Sequence, residues 1–341
     1  QDPKKPYPYL EEEVEYRNER DGIKLAATLT MPKEGGPFPA VVLITGSGAQ
    51  NRNEEVMGHR PFLVLADFLT RKGLAVLRAD DRGVGGSEGN TGQSTAENFA
   101  YDALAGVDYL KSRPEIDAAK IGLAGHSEGG IIAPLAATLS EDVAFIVMMA
   151  GTGLVGEEII YLQSALLSRA GGADEEVIEK SNEIQKKIFT LIKDGKDDAH
   201  LKDKLNELLL ESFAYASKEE KESVSDMSTF ANAQIQMLLS PWFRFFLTYD
   251  PAPTLRKVKC PVLALNGEKD LQVPYKENLD SIEEALKEGG NTDYTIKMLP
   301  GLNHLFQRAD TGHTSEYAKI PETINPAALN FISGWILERF K

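Results

Sequence analysis

The chain has 341 residues, of which 42% are hydrophobic and 26% are charged, and this composition is typical of a soluble globular protein with one large domain or two average ones. Its formal net charge of −15 disfavours binding to nucleic acid or to anionic lipid, and no apolar run approaches the roughly 18 residues that a membrane span requires. The single cysteine, Cys260, excludes an internal disulfide and any cysteine-rich metal site.

The first half of the chain predicts an edge hairpin followed by alternating strands and helices. Two β-rich segments, 14–17 and 23–31, flank an Asp-Gly turn and indicate an antiparallel pair. Helices are predicted from Pro61 and from a capping box formed by Ser94 and Glu97. Continuous apolar runs, typical of strands buried on both faces, occur at 41–44, 74–77, 121–124 and 144–149. This alternation predicts an α/β fold with a doubly wound, mostly parallel sheet.

The alternation stops at about residue 154, and only helical patterns follow for nearly a hundred residues. Asp174 is placed to cap one of these helices, and another begins near Ser217, with Glu220 completing a capping box. The α/β pattern then resumes, with a strand at 262–265, a helix at 275–288, a strand at 294–299 and a terminal helix at 325–340. We therefore assign residues 1–153 and 251–341 to an α/β core and residues 154–250 to an inserted, all-helical cap.

One serine lies at a corner between a predicted strand and a predicted helix. Ser127 stands in the sequence Gly-His-Ser-Glu-Gly, between Gly125 and Gly129. In such a corner the glycines let strand and helix approach closely, while the serine holds a strained backbone that exposes its hydroxyl. The pattern indicates that Ser127 is a nucleophile.

A serine nucleophile needs a base, and the base needs an acid behind it. His304 follows the last predicted strand, where a base can reach the carboxyl edge of the sheet, and His313 is the alternative. Asp270 lies in the loop after strand 262–265, with Glu268 as the alternative acid. The order Ser127, Asp270, His304 is the one expected for an α/β-hydrolase.

Two backbone amides are candidates for an oxyanion hole, namely that of Glu128, after the nucleophile, and that of Ser47, between two glycines after the third strand. Trp242 and Phe243 are candidates for lining a substrate pocket, with packing in the core as the alternative. His59 is a third candidate, with the anchoring of a loop to the cap as its alternative. No metal-binding spacing occurs, so we expect neither a metal nor another cofactor.

The segment from Asp80 to Ser87 is rich in glycine but lacks the layout of a dinucleotide or phosphate loop. We predict that it is structural and that Arg82 binds nearby backbone carbonyls. A packed thiol is the expected state of Cys260, which lies in the apolar approach to a strand.

Five segments together resemble the bacterial EstD-like carboxylesterases of the α/β-hydrolase superfamily, and the resemblance covers nearly the whole chain. They are Thr45-Gly-Ser-Gly-Ala-Gln-Asn-Arg52, His59-Arg-Pro-Phe-Leu-Val-Leu-Ala-Asp67, Arg78-Ala-Asp-Asp-Arg-Gly83, Gly125-His-Ser-Glu-Gly-Gly130 and Ser240-Pro-Trp-Phe-Arg244. The resemblance implies a serine esterase that acts on short acyl esters, with Ser127, Asp270 and His304 as its triad and a helical cap. Thr45 departs from the His-Gly pair that is common at this place in hydrolases.

The predicted function is therefore hydrolysis of a small-molecule ester through an acyl-enzyme. A peptidase or amidase of the same fold and a catalytically silent binding protein are the alternatives. Because the chain opens with Gln1 and not with Met, we expect a periplasmic or secreted protein whose export signal has been cleaved, with a cytoplasmic protein as the alternative. The sequence is compatible with a homo-oligomer but does not set the oligomeric state.

Overall fold

A computed structural model describes residues 1–195, 199–216, 221–222 and 224–340. Its centre is a single eight-stranded sheet with the order β1-β2-β4-β3-β5-β6-β7-β8. The first two pairings, β1 with β2 and β2 with β4, are antiparallel, and the others are parallel. The strands are β1 (Leu10–Asn18), β2 (Ile23–Met31), β3 (Phe38–Ile44), β4 (Ala75–Ala79), β5 (Ile116–His126), β6 (Ile146–Met149), β7 (Val262–Gly267) and β8 (Tyr294–Leu299).

Helices cover both faces of the sheet, as the apolar runs require. The described α-helices are α1 (Pro61–Arg71), α2 (Ala96–Lys111), α3 (Gly129–Leu139), α4 (Gly156–Ala170), α5 (Glu175–Asp194), α6 (Ala199–Phe213), α7 (Met227–Leu238), α8 (Pro241–Thr248), α9 (Ala252–Leu255), α10 (Tyr275–Glu288) and α11 (Pro326–Phe340). The doubly wound α/β fold and its N-terminal antiparallel hairpin are thereby confirmed. None of the helices in the described ranges is both long enough and apolar enough to cross a membrane.

Two hydrophobic clusters hold the sheet between its helices. One lies under α2, α3 and α10, and the other lies under α1 and α11. Phe62 of α1 and Phe145, just before β6, are among the largest fully buried side chains. Each such side chain contributes about 1.5–3 kcal/mol relative to an exposed one, so the apolar strands fix the frame on which the loops are carried.

The five helices α4 to α8, which we call the helical insertion, lie between β6 and β7 and have a hydrophobic cluster of their own. It includes Ile188 of α5, Leu205 of α6, Ile235 of α7 and Leu247 of α8. This cluster is what a separately packed unit would need, while the division of the chain into a core and a cap at 154 and 250 stays a prediction. The fourth cap helix predicted from Ser217 and Glu220 lies outside the described residues.

Two predicted helix caps are wrong in detail. The N-terminus of α2 is closed by Thr95 and Asn98, because the Asn98 side chain accepts the Thr95 N–H at 3.0 Å. The Ser94 hydroxyl donates instead to the Asn90 carbonyl at 2.8 Å, which takes it out of the capping position. Asp174 does precede α5, but its side chain makes no capping hydrogen bond.

The prediction for Arg82 is wrong in its partners. Its guanidinium binds Asp102 through two hydrogen bonds of 2.7 and 2.8 Å and forms an ion pair with Asp21 at 2.9 Å. Within the described part of the chain, one carbonyl, that of Asn98, accepts from it. A buried arginine needs compensating charge, and the two carboxylates supply it. The glycine-rich segment is therefore fastened to the hairpin and to α2 by ion pairs.

Candidate active site

Ser127 lies at the sharp turn between β5 and α3. Its φ of 53° is in the left-handed region, and its N–H donates to the Met149 carbonyl of the neighbouring strand at 2.9 Å. A Cβ on Gly125 would lie 1.9 Å from the carbonyl oxygen of Gly129, so only glycine permits this approach of strand and helix. A non-glycine residue in this conformation costs on the order of 1–3 kcal/mol, and such strain concentrates at functional sites.

His304 and Asp270 meet although 34 positions separate them in the chain. His304 Nδ1 lies 2.8 Å from Asp270 Oδ2, and the Asp270 side chain has no exposed surface. The other oxygen of Asp270 accepts the N–H groups of Gln272 at 2.9 Å and Val273 at 2.8 Å. The carboxylate is therefore fixed by its own loop and can hold the imidazole in one orientation.

Ser127 and His304 line the same cavity, of about 410 Å³, which we call the Ser127 cavity. Among the described residues the Ser127 hydroxyl makes no hydrogen bond with His304. Such bonds are often long in an enzyme without its substrate and shorten in the complex. The arrangement brings the three predicted triad residues to one site, and their catalytic roles stay a prediction.

Ser47 lies in a loop, residues 45–50, that runs along the Ser127 cavity. We call it the Ser47 loop. Within the described chain neither the Ser47 N–H nor the Glu128 N–H donates to another group, so both remain available to an oxyanion. The neighbouring Gly46 N–H is used, because it donates to Glu54 Oε1 at 2.8 Å.

Asp81 holds both ends of the Ser47 loop. Its Oδ1 accepts the Thr45 hydroxyl at 2.7 Å, and its Oδ2 accepts the Gln50 N–H at 2.9 Å. Burial raises the pKa of Asp81 to about 7, against the effect of these two hydrogen bonds, and the charges of Glu54 and Glu128 raise it further. Thr45, which departs from the common His-Gly pair, thus anchors the loop through its hydroxyl.

The side chain of Glu128 is buried and binds the helical insertion. Its Oε1 accepts the indole N–H of Trp242, on α8, at 2.7 Å. Burial raises the pKa of the Glu128 carboxyl, while hydrogen bonds from Trp242 and Ser47 act in the opposite direction. The residue after the nucleophile is therefore tied both to the Ser47 loop and to the insertion.

A second and larger cavity, of about 770 Å³, adjoins the Ser127 cavity. The two cavities share Gly46, Glu128, Met237 and Trp242 in their walls. Phe243 lines the Ser127 cavity and also packs on Phe189 of α5, at 5.9 Å between ring centroids. Trp242 is thus part of the partition between the two cavities, and Phe243 belongs both to the cavity wall and to the core of the insertion.

The third pocket candidate, His59, lines neither cavity. Its ring nitrogens lie 3.0 Å from the Thr323 hydroxyl and 2.9 Å from the Tyr317 carbonyl, so both are occupied by a segment that leads into α11. The expectation that His59 contacts substrate is therefore wrong. Its position is explained by the anchoring of one loop to another.

Neither of the alternative triad residues reaches the site. The His313 ring nitrogen Nδ1 bonds Ser315 and starts a short 3₁₀ helix, and it lies outside the Ser127 cavity. The Glu268 carboxylate accepts the N–H of Gly301 at 2.8 Å, which closes a loop. The geometry leaves His304 and Asp270 as the base and acid candidates.

Residues 21–301 match the family model of the X-Pro dipeptidyl-peptidases, S15 family. The chain belongs to the X-Pro dipeptidyl-peptidase (S15) family. The match spans the hairpin turn, the elbow, the helical insertion and the loop of Asp270, and it ends three residues before His304. The resemblance to the α/β-hydrolase superfamily and to EstD is also confirmed.

This S15-family chain is 26% identical over 316 residues to the esterase EstD of Thermotoga maritima. The aligned region covers 92% of this chain and 66% of EstD, so the chain spans slightly less than two thirds of that relative's length. An esterase of Pyrococcus furiosus has a similar structure, with a TM-score of 0.59 at 16% identity over 97% of this chain and 92% of its own. A dienelactone hydrolase of Anabaena variabilis gives 0.52 at 16% identity, over 98% of this chain and all of its own. These two proteins therefore share the fold of this chain.

Two further residues of the site were not predicted from the sequence, namely His126 and Glu54. His126 Nδ1 lies 2.9 Å from Glu54 Oε1, and its Nε2 lies 3.0 Å from the carbonyl oxygen of His304. Glu54 has a positive φ of 52°, and its second oxygen, Oε2, is buried without a hydrogen-bond partner among the described residues. The signal that identifies Glu54 is a strained, buried carboxylate beside the nucleophile. This signal appears only in the structure and not in the sequence.

Proposed function

We propose that this S15-family chain is a serine hydrolase that cleaves short-chain acyl esters through an acyl-enzyme. The observation that carries the proposal is the hydrogen bond from Asp270 to His304, whose ring lines the cavity that contains the strained Ser127. Its similarity to EstD, whose name is that of an esterase, favours an ester over other acyl substrates.

The first half of the reaction forms the acyl-enzyme. Ser127 Oγ attacks the ester carbonyl carbon while its proton passes to His304 Nε2, and Asp270 stabilises the imidazolium that results. The oxyanion accepts the N–H groups of Ser47 and Glu128, each of which contributes on the order of 3 kcal/mol to the transition state. Collapse of the intermediate breaks the bond to the alcohol oxygen, which takes the proton from His304.

The second half frees the enzyme. A water molecule gives a proton to His304 and attacks the acyl carbonyl, and the same two amides hold the new oxyanion. Collapse breaks the bond to Ser127 Oγ, which recovers its proton from His304. The products are the carboxylic acid and the alcohol, and no group outside the chain and its substrates is consumed.

The preference for a short acyl group is supported by the partition at Trp242, which divides the Ser127 cavity from the larger cavity. A panel of p-nitrophenyl esters from acetate to long chains tests it. We expect kcat/KM to be highest for the short esters and to fall as the chain grows beyond the cavity. A maximum at long chains would contradict the proposed substrate class.

The family match favours one second candidate, a peptidase that cleaves an amide after proline. The same nucleophile, base and amides would serve, with an amine in place of the alcohol as the leaving group. An X-Pro p-nitroanilide and a p-nitrophenyl ester, compared on the same enzyme preparation, distinguish the two. Turnover of the anilide without turnover of the ester would favour the peptidase over the esterase.

The division into an α/β core and a cap at 154–250 belongs to the proposal, because the cap supplies Trp242 and Phe243 to the cavity. A catalytically silent binding protein is the third candidate. It is disfavoured by the hydrogen-bonded Asp270–His304 pair and is tested by covalent labelling, described at the end of the Discussion.

A further inference from the structure

His126 stands directly before the nucleophile, and both of its ring nitrogens face hydrogen-bond acceptors. Nδ1 lies 2.9 Å from a carboxylate oxygen of Glu54, and Nε2 lies 3.0 Å from the main-chain carbonyl oxygen of His304. A neutral imidazole carries one N–H and can donate only one of these bonds, whereas the imidazolium carries two. The main-chain carbonyl has no proton to give, so the second bond forms only when Nε2 carries a proton.

We propose that His126 is a permanently charged imidazolium, held by the Glu54 carboxylate. We further propose that this pair positions the Ser47 loop and the backbone of His304 relative to each other. The inference rests on the proposed function, because it assigns positioning roles within that reaction. Among the described residues neither side chain bonds the Ser127 hydroxyl or a ring nitrogen of His304, so we assign Glu54 and His126 a positioning role and not a catalytic one.

The pair joins three loops that lie far apart in the chain. Glu54 Oε1 accepts both the His126 ring and the Gly46 N–H, the latter at 2.8 Å. Gly46 precedes Ser47, the candidate oxyanion donor, and His126 precedes Ser127. Through the carbonyl of His304, the same ring also fixes the backbone of the candidate base. One charged contact therefore sets the distances among nucleophile, base and oxyanion donors.

The charged and titratable groups that face the His126 ring come from three elements. Glu54 contacts it directly, the His304 ring lies 4.8 Å away between centroids, and the charge of Asp270 also acts on it. Burial lowers the pKa of His126, but the charge and hydrogen bond of Glu54, the carbonyl of His304 and the charge of Asp270 outweigh it, so the pKa is raised overall. The neutral alternative has the proton on Glu54 and keeps the bond from Nε2 to the His304 carbonyl, so it differs from the ion pair only at Nδ1. The ion pair is favoured there because Glu54 Oε1 also accepts the Gly46 N–H, and charge-assisted hydrogen bonds are roughly twice as strong as neutral ones.

The charge state is tested directly by ¹⁵N NMR of the full chain labelled at histidine, with His126 assigned by comparison with the His126→Gln variant. We expect both ring nitrogens of His126 to carry hydrogens at pH 7 to 8. A single protonated ring nitrogen would overturn the proposal. This measurement requires no activity, so the charge state can fail while the esterase proposal stands, or stand while the esterase proposal fails.

The positioning role is tested by the division between kcat and KM. Two variants, His126→Gln and Glu54→Gln, each remove one partner of the pair. Because the Ser47 loop and the backbone of His304 lose a common anchor, we expect kcat to fall by roughly 10²-fold in either variant while KM changes little. His59→Gln is the matched control, since it removes another buried ring with both nitrogens bonded, outside both cavities. Equal losses in all three variants would show a general effect of burial and contradict the positioning role. The protonation state of the His126 ring is measured on the wild-type chain, and the His126→Gln variant serves only to assign its signals.

Discussion

The indole N–H of Trp242 donates a 2.7 Å hydrogen bond to the carboxylate of Glu128, and so joins α8 of the helical insertion to the residue that follows Ser127. Trp242→Phe keeps an aromatic ring in the partition but removes the donor. Hydrogen bonds to charged groups contribute about 1.5–3 kcal/mol, and part of this loss reaches the transition state through Glu128. We expect kcat/KM for a short ester to fall about tenfold.

The other tryptophan of the chain provides the control for this prediction. Trp335 lies in α11, and its indole N–H donates to the Thr295 hydroxyl at 2.9 Å, outside both cavities. Trp335→Phe should lower the melting temperature without a comparable loss of kcat/KM. Equal effects of the two substitutions on kcat/KM would show that the Glu128 contact is not specific to the site.

Asp270→Asn should reduce turnover by about 10⁴, the loss seen when the acid of a serine hydrolase triad is replaced by an amide. Oδ1 can still accept the N–H groups of Gln272 and Val273. The amide nitrogen, however, would face His304 Nδ1 as a donor and favour the wrong tautomer. Stopped assays of kcat on a short aryl ester measure the change.

Glu268→Gln is the matched control for the acid, because Glu268 lies two residues earlier and, among the described residues, its carboxylate accepts the N–H of Gly301 alone. A glutamine oxygen can accept the same bond, so turnover should stay close to that of the parent chain. If Glu268→Gln lost as much activity as Asp270→Asn, the assignment of the acid would be wrong.

Asp81→Asn should make the free energy of unfolding less dependent on pH. Burial raises the pKa of Asp81 to about 7 in the folded chain, so the folded state keeps a proton that the unfolded state releases above its ordinary pKa of 3.8. The resulting stabilisation is complete below about pH 4 and is lost as pH rises through 7. Between pH 5 and 7 the free energy of unfolding of the parent chain should fall by on the order of 2 kcal/mol more than that of the variant.

Urea unfolding at the two pH values measures this difference, and Asp310→Asn, at an exposed aspartate, is the control. Asparagine can still serve both partners of Asp81, because its oxygen can accept the Gln50 N–H and its amide can donate to the Thr45 hydroxyl. An equal loss of stability in the parent chain and in Asp81→Asn would show that Asp81 is ionised throughout.

The sequence predicted the parts of this molecule that follow from local periodicity and from the geometry of a parallel sheet. Helix Tyr275–Glu288 and strand Tyr294–Leu299 have the predicted bounds, because an amphipathic pattern and clear turn residues delimit them. Asp270 and His304 were found because the carboxyl ends of parallel strands meet at one edge, so that two loops at strand ends lie close together.

The contacts that escaped prediction join residues with no local signal. The bond from His126 to Glu54 spans 72 positions, and that from Trp242 to Glu128 spans 114. In the sequence, His126 is only the residue before the serine of an elbow motif, and Glu54 is one acidic residue of many. The choice of Thr95 over Ser94 as the cap of α2 was equally hidden, because it depends on the competing bond of Ser94 to Asn90.

The central claim, that Ser127 is an activated nucleophile, is tested most directly by intact-protein mass spectrometry after incubation with a fluorophosphonate. We predict the addition of one phosphonyl group per chain, located on Ser127, with parallel loss of ester hydrolysis and no labelling of Ser127→Ala. A chain that hydrolyses short esters while unlabelled, or a Ser127→Ala variant that keeps full activity on an aryl acetate, would contradict the account.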